Sequence, residues 1–555
     1  MEVLVGAATA CADPALARGK ITIPGRVGPS NCCHAAVAPR GISKISPARS
    51  YWYAAPRLTS ADDSQLEEIT IDRLQERLRA GELTSVALVE HYVDRIRAID
   101  QSGPTLRSVL ELNPEAEAIA AALDGERAQD HVRGPLHGIP VLIKDNIETA
   151  DRMQTTAGSL ALLDVPVEHD APVAARLREA GAVILGKTNL SEWANFRSSR
   201  SSSGWSARGR QTVNPYVLDR TPGGSSSGSG VAVSANLAMA SLGSETDGSI
   251  MSPSSQSCLV GIKPTVGLTS REGVIPISHT QDTVGPHART VRDAALVLSA
   301  IASSGLDYVA GLSPDALGGA RIGVARRFFT GYSEHTDRVF ERALDVLRGC
   351  GAELSDVDIP GWEEIRDKMD GDDNSEAIVL QYELKAGLAQ YLRDRRPRAQ
   401  LRCLADVIRF NQEHAADEMP YFAQELFERS EARGSLEDDL YQRALARQRS
   451  FGEGFRAFFA SENLAAVVAP TNSPACTIDQ INGDRRLGGS SGPAAVCGFP
   501  LVTVPAGFAL DVLPIGLTFM GPPHSEADLV RLAYAFEQAK PVRRPPRFLP
   551  TLNLP

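Results

Sequence analysis

The chain has 555 residues, a formal net charge of −11 and 43% hydrophobic residues, a composition typical of a protein that buries a sizeable core in one large α/β domain or in several average ones. Its acidic balance argues against nucleic acid or an anionic membrane as a partner, and no apolar run reaches the ~18 residues of a spanning helix. The eight scattered cysteines include no Cys-x-x-Cys pair, which argues against a disulfide scaffold and favours reduced, apolar side chains.

The first 60 residues differ from the rest of the chain. They are rich in Ala, Pro, Gly and Ser, and only Glu2 and Asp13 are acidic among the first fifty. We therefore predict a disordered N-terminal extension over 1–60, a single domain over 61–555 and a cytoplasmic protein. A targeting segment is the alternative interpretation, because the extension is basic, although a basic stretch followed by an apolar core is missing.

Periodic patterns predict regular structure from residue 69 onward. Ile71, Leu74 and Leu78 recur at helical spacing before Gly81, and Thr84 or Ser85 caps a second helix. Beyond these helices, short apolar runs alternate with helical patterns, which predicts an α/β fold. The runs lie at 140–143, 182–185, 321–325, 464–468, 501–504 and 515–519.

A charged segment at 375–460 is predicted to be mainly helical. It is a candidate for a substrate-facing insertion, and an ordinary solvated helical bundle is the alternative.

Residues 221–230 form a run of glycine and serine, Thr-Pro-Gly-Gly-Ser-Ser-Ser-Gly-Ser-Gly. The composition alone fits a flexible linker. The small apolar residues at 231–242 predict instead a buried helix directly afterwards, and glycines at a helix entry expose backbone N–H groups. The run also matches the G-x-S-x-G nucleophile elbow, with Ser226 as nucleophile, but that elbow needs a strand before it, whereas 214–222 is predicted as a loop.

A second glycine-flanked serine, Ser249, lies in the segment Asp-Gly-Ser-Ile. Ser252 and Pro253 are expected to be the N-cap and first residue of a helix. Ser249 would then precede a helix start, where backbone N–H groups converge as an oxyanion requires. A serine that only caps a turn is the alternative.

Lys144 follows the apolar run 140–143, which predicts a desolvated side chain. A lysine that acts as a base at neutral pH needs its pKa lowered from about 10.4 to about 7, which costs roughly 4.6 kcal/mol that burial can supply. Asp145 is expected on the opposite face, because adjacent strand residues alternate. A surface lysine paired with Asp145 is the alternative.

Taken together, these segments resemble the signature of the amidase signature family. Further matching segments lie at 186–192, 204–209, 260–268, 275–278 and 281–286. The resemblance runs from about residue 68 to the end and is weakest in 330–460. It implies a central mixed, mostly parallel sheet surrounded by helices, and a hydrolase that cuts amides without a metal or organic cofactor.

The resemblance also implies roles for individual residues. Ser249 matches the acylated nucleophile, Ser225 the serine preceded by a cis peptide, and Lys144 the general base that accepts protons through Ser225. The oxyanion-hole loop corresponds to the backbone N–H groups of Thr246, Asp247, Gly248 and Ser249.

One position departs from the usual family pattern, since Asp247 stands where many members have glycine. We expect its carboxylate to point away from the oxyanion hole to a partner. The Asp-Gly-Ser variant, with segments 191–198 and 204–208, resembles the peptide-amidase branch, whose members remove the C-terminal amide of peptides. Trp205 and the loop 201–203 are candidates to border the pocket.

The expected substrates are peptide C-terminal amides first and small aryl or alkyl amides second. A carbamate hydrolase is one alternative, and an amidotransferase A-type subunit that generates ammonia for a partner is another. As a hydrolase, the chain is expected to act as a monomer or homodimer that binds no nucleic acid and does not span a membrane.

Overall fold

The computed structural model describes residues 65–366 and 374–553, and these belong to one compact unit, 58–555. The extension predicted at 1–60 lies outside the described residues. Among those that are described, no helix combines the length and the apolar character that crossing a membrane requires.

Thirteen strands are found in the described part of the chain. They are β1 Val109–Leu112, β2 Pro140–Lys144, β3 Val183–Thr188, β4 Trp205–Ser206, β5 Arg210–Gln211, β6 Ala240–Glu245, β7 Val260–Lys263, β8 Thr283–Ala288, β9 Arg321–Ala325, β10 Glu353–Val357, β11 Ala466–Pro470, β12 Leu501–Ala509 and β13 Leu513–Met520. All six apolar runs lie wholly or partly in strands. The run at 464–468 differs most, because β11 begins two residues later.

Eleven strands form one sheet in the order β1-β3-β2-β6-β8-β7-β12-β13-β11-β9-β10, and β4 pairs with β5. The expected mixed sheet surrounded by helices is confirmed. Its parallel pairs, β3-β2-β6 and β11-β9-β10, lie toward the two ends of the sheet. The middle of the sheet is antiparallel, so parallel pairing is less extensive than the sequence suggested.

The helices of the described residues lie between and around these strands. They are α1 Ile71–Arg79, α2 Ser85–Arg95, α3 Ala116–Ala128, α4 Pro172–Glu179, α5 Ser227–Ser234, α6 Met251–Gln256, α7 Val291–Ile301, α8 Glu334–Gly349, α9 Trp362–Arg366, α10 Ser375–Arg395, α11 Leu404–Glu413, α12 Ala415–Glu418, α13 Glu425–Glu431, α14 Asp439–Ser461, α15 Gly492–Cys497 and α16 Glu526–Ala539. The two N-terminal helices are confirmed, and the Thr84 hydroxyl caps α2 by accepting from the N–H of Ala87 at 3.1 Å. The segment 375–460 is mainly helical, as predicted, with connections at 396–403, 419–424 and 432–438.

The single buried helix predicted at 231–242 is wrong. Helix α5 includes the glycines and serines of 227–230 and ends at Ser234, and Asn236 then adopts a left-handed φ of 56°. From Ala240 the chain forms strand β6, which pairs with β2 and β8. Small apolar residues fit a buried helix and a buried strand equally, so only the pairing partners decide between them.

The expected start of the helix after Ser249 is also wrong by a few residues. Helix α6 begins at Met251, and Pro253 lies inside its first turn. Proline is tolerated there because N–H groups of the first turn have no acceptor within the helix. The cap comes from Glu245, whose carboxylate accepts from the N–H groups of Ile250 at 2.5 Å and Met251 at 2.9 Å.

Candidate active site

Lys144 is the last residue of β2, which lies between β3 and β6 with all five of its residues buried. The Lys144 side chain is buried as well, so the predicted desolvation is confirmed. Burial lowers the pKa of Lys144 to about 7, while the carboxylates of Asp282 and Glu245 act in the opposite direction. At neutral pH a substantial fraction of this lysine therefore carries no proton.

The amine of Lys144 meets two serine side chains. Its Nζ lies 2.8 Å from Ser225 Oγ, 2.9 Å from Ser244 Oγ and 3.2 Å from the Ser244 carbonyl oxygen. Asp145 turns the other way, and its carboxylate accepts from Arg208 Nη1 at 2.9 Å. The opposite-face prediction for Asp145 is thus confirmed.

Ser225 follows a cis peptide bond with Gly224, as the family resemblance implies. Its carbonyl oxygen accepts from the N–H of Ser191 at 3.0 Å, and the next N–H, of Ser226, donates to the Ser249 carbonyl at 3.1 Å. The fold therefore brings the three predicted residues together: Lys144 touches Ser225, and the backbone of Ser249 is bonded to the residue beside it.

The contacts of Ser226 do not support the nucleophile-elbow interpretation. Its hydroxyl donates to the Ser244 carbonyl at 3.0 Å and accepts from the Ser244 N–H at 3.2 Å, so it is committed to the backbone of β6. The segment 214–222 contains no strand of the main sheet, as expected for a loop.

Residues Thr246 to Ser249 connect β6 to α6 and form the loop predicted to bind an oxyanion. Gly248 has a φ of 75°, a conformation that glycine adopts without strain, and its carbonyl accepts from the Ser252 N–H at 2.8 Å. The Thr246 hydroxyl donates to Asp282 at 2.6 Å. Among the hydrogen bonds of the described residues, none uses the N–H groups of Asp247, Gly248 or Ser249 as donors, which leaves them available to a ligand oxygen.

The side chain of Asp247 lies beside Ser491 and Arg486, and both neighbours favour its charged form. Its Oδ1 atom is buried and has no hydrogen-bond partner among the described residues, so the partner expected from the sequence is not confirmed. Burial nevertheless raises the pKa of Asp247. Asp247 and Ser491 both line the neighbouring cavity, so the carboxylate borders the site and does not point away from it.

A cavity of about 320 Å³ adjoins the oxyanion loop at Asp247 and Gly248. Apart from the oxyanion loop, its walls come from five places: residues 221–223, helix α6, the residues after β9, helix α9 and the segment 471–492. Representative lining residues are Met251, Ser252, Phe328, Phe329, Trp362, Arg366, Asn472, Arg485, Arg486, Leu487 and Ser491. Ser249, Ser225 and Lys144 are not among the residues that line it, so the cavity lies beside the reacting groups.

Two sequence-based assignments of the pocket wall differ from this cavity. Trp205 does not line it and packs instead against Phe422, with ring centroids 5.2 Å apart. None of the lining residues comes from 375–460, so a substrate-facing role for those helices stays a prediction. The loop 201–203 does not line the cavity either and meets it only indirectly, because the Ser203 N–H donates at 3.2 Å to Asp484, which is a lining residue.

The residues that form the cavity were not predictable from the sequence. Phe328, Phe329 and Trp362 belong to no motif, and the segment 471–492 has no periodic pattern. Within the described ranges, no cluster of His, Cys, Asp and Glu is arranged to hold a metal ion.

Comparison with known proteins agrees with this geometry. A family model described as Amidase matches residues 87–530. A probable amidase of Arabidopsis thaliana is 40% identical over 517 residues, which cover 89% of this chain and 94% of that protein. The X-ray structure of the peptide amidase from Stenotrophomonas maltophilia is similar with a TM-score of 0.81 at 47% identity, covering 87% of this chain and 99% of that chain. The A-type subunit of the glutamyl-tRNA(Gln) amidotransferase of Geobacter metallireducens is 33% identical over 513 residues, covering 86% of this chain and 98% of that protein.

Proposed function

The chain belongs to the amidase signature family and is an amide-hydrolysing enzyme, and we propose that it removes the C-terminal amide of peptides through a triad of Ser249, Ser225 and Lys144. The observation that carries the triad is the 2.8 Å contact between Lys144 Nζ and Ser225 Oγ, made by a lysine whose pKa burial lowers to about 7. A lysine with that pKa accepts a proton at neutral pH.

In the proposed mechanism Ser249 is the nucleophile. Neutral Lys144 accepts the hydroxyl proton of Ser225 while Ser225 accepts that of Ser249, and Ser249 Oγ forms a bond to the carbonyl carbon of the amide. The protons then return by the same path to the amide nitrogen, so that the C–N bond breaks and ammonia leaves. Water deprotonated along the same path attacks the acyl-enzyme and releases the carboxylic acid.

The loop from Thr246 to Ser249 is proposed to bind the oxyanion of the tetrahedral intermediate. The N–H groups of Asp247, Gly248 and Ser249 donate no hydrogen bond within the described residues, so they would be free to stabilise the negative charge that develops when Ser249 attacks. Loss of one such donor costs roughly 3–4 kcal/mol of transition-state stabilisation.

The choice of peptide amides is supported by two observations. The peptide amidase of Stenotrophomonas maltophilia is similar to this chain over nearly its whole length. A cavity of about 320 Å³ beside the oxyanion loop also offers room for an acyl group larger than a small aliphatic one.

The test is ammonia release from a C-terminally amidated dipeptide by the wild type, Ser249→Ala and Lys144→Ala. We expect release by the wild type and loss of release in both variants. If the wild type released no ammonia and still reacted with a phosphonate at Ser249, the chemistry would stand and the substrate assignment would be wrong.

A second candidate function is favoured by the similarity to the amidotransferase protein of Geobacter metallireducens, which covers 98% of that protein. On this alternative the chain would generate ammonia for a partner protein. Ammonia release by the isolated chain without ATP would contradict it. The same preparation, analysed by light scattering, tests our proposal that the active form is a monomer or homodimer.

A further inference from the structure

The cavity beside the oxyanion loop has an aromatic wall, formed by Phe328, Phe329 and Trp362. The rings of Phe329 and Trp362 are stacked, with centroids 6.5 Å apart and an interplanar angle of 19°. Behind them, Phe451 packs against Trp362 at 5.8 Å. Phe329 and Trp362 are almost fully buried, so this wall is held in place by the core behind it.

Gly492 sets the position of Trp362. A Cβ atom at Gly492 would lie 2.7 Å from Trp362 Cη2, closer than real Cβ contacts come, so the indole can occupy this place only beside a glycine. Gly492 directly follows Ser491, which packs against the oxyanion loop: a Cβ atom at Gly248 would lie 2.9 Å from the Ser491 hydroxyl. The aromatic wall is thereby connected through two consecutive residues to the loop that would hold the reacting carbonyl.

The other edge of the cavity is charged. The guanidinium of Arg366 lies over the Phe328 ring, with Cζ 4.6 Å from its centroid. Arg485 and Arg486 line the same cavity, where the carboxylates are those of Asp247 and Asp484. A ligand group that enters the cavity therefore meets flat apolar rings, against which an ammonium group would lose its hydration, and an edge with charges of both signs.

We propose that this cavity binds the side chain of the substrate residue that carries the scissile amide, that it selects apolar and aromatic side chains over basic ones, and that Trp362 is the residue chiefly responsible. The inference rests on the proposed function, since it takes the substrate to be an amidated peptide. In an amino-acid amide the side chain is attached to the carbon next to the scissile carbonyl. If that carbonyl is held at Gly248, the side chain reaches the cavity, because Gly248 itself lines it. Each methylene buried there is worth about fourfold in kcat/KM.

The test measures kcat/KM for the N-acetyl amides of phenylalanine, leucine, alanine and lysine. For the wild type we expect phenylalanine and leucine to exceed alanine by about tenfold or more, and lysine not to exceed alanine. In Trp362→Ala the ratio of phenylalanine to alanine should fall by about tenfold, while the alanine substrate changes little. Trp362→Phe keeps a ring in the wall and should restore most of the ratio.

Two further variants separate recognition from folding. Gly492→Ala keeps the indole and displaces it, so it should also lower the phenylalanine-to-alanine ratio. Trp205→Phe changes a buried tryptophan that does not line the cavity, and it should leave the ratio unchanged.

The outcomes distinguish this inference from the proposed function. If the wild type hydrolysed none of the four amides, the proposed function would fail and this inference with it. If all four were hydrolysed without a preference, or if Trp362→Ala slowed all of them equally, the inference alone would be overturned.

Discussion

The Nζ atom of Lys144 lies 2.8 Å from the Oγ atom of Ser225 inside a wholly buried site. Burial drives the pKa of Lys144 down, and the carboxylates of Asp282 and Glu245 limit the fall, so that the value is about 7. Two opposing effects therefore leave the proposed base close to half protonated at neutral pH. The pH dependence of activity and that of stability both depend on this balance.

The first prediction concerns the pH dependence of activity. Because only neutral Lys144 has a free electron pair, kcat/KM should rise with pH through about 7 and then level off. Steady-state rates on an amidated dipeptide from about pH 5 to about pH 9 measure this limb. A profile that is flat across neutral pH would exclude Lys144 as the titrating base.

Asp282 offers an internal control for this assignment. Its carboxylate favours protonated Lys144, so Asp282→Asn should move the acidic limb of the profile to lower pH. A limb that moved to higher pH would show that another group titrates there.

The second prediction concerns stability. The folded pKa of Lys144, about 7, lies below the ordinary value of 10.5, so between these pH values the unfolded chain holds a proton that the folded chain lacks. The free energy of unfolding then rises with pH through this window. Lys144→Met should be more stable than the wild type at neutral pH, by on the order of 4 kcal/mol.

This advantage of Lys144→Met should shrink steadily toward about pH 10, where the unfolded chain also begins to lose the proton. Urea denaturation of both proteins at about pH 7 and about pH 9.5 measures the difference. Equal differences at the two pH values would contradict a buried lysine with a lowered pKa.

The third prediction concerns the nucleophile. A fluorophosphonate should attach to Ser249, and Ser249→Ala should abolish the adduct, as peptide mapping by mass spectrometry would show. Ser226→Ala should still be labelled, because the Ser226 hydroxyl is bonded to the N–H and carbonyl of Ser244. An adduct on Ser226 would revive the nucleophile-elbow interpretation.

The fourth prediction concerns a buried ion pair beyond the end of α10. Arg396 Nε donates to Glu148 Oε1 at 3.0 Å, and both side chains are at most 1% exposed. Arg396→Ala leaves Glu148 paired with Arg395 but removes one of its two cations. It also removes the donor to the carbonyl oxygens of Thr155 and Val165, so it should destabilise the protein by about 3–5 kcal/mol. Thermal or urea unfolding measures the loss.

The matched control for that variant is Arg398→Ala. Arg398 pairs with Glu168, but its side chain is 71% exposed, so the change should cost no more than about 1 kcal/mol. Equal losses of unfolding free energy in the two variants would mean that burial of the Arg396–Glu148 pair does not increase its contribution to stability.

Much of the fold was predictable because its signals are local. The apolar runs that became β2, β9 and β13 are continuous, and Thr84 stands where a helix cap is needed. The prediction failed at 231–242, where small apolar residues fit either a helix or a strand. Pairing of β6 with β2 and β8, which lie far away along the chain, decided in favour of a strand from Ala240 onward.

The sequence by itself determined the chemistry of the candidate site: a lysine after an apolar run, two glycine-flanked serines, and a loop of small residues before a helix. Only the tertiary structure decided which groups touch Lys144 and what surrounds the cavity. Ser244 meets Lys144 because β6 pairs with β2, and the aromatic wall forms where the residues after β9, helix α9 and the segment 471–492 converge. Such walls leave no periodic pattern in the sequence, because a cavity is shaped by side chains from distant segments that the order of strands in the sheet brings together.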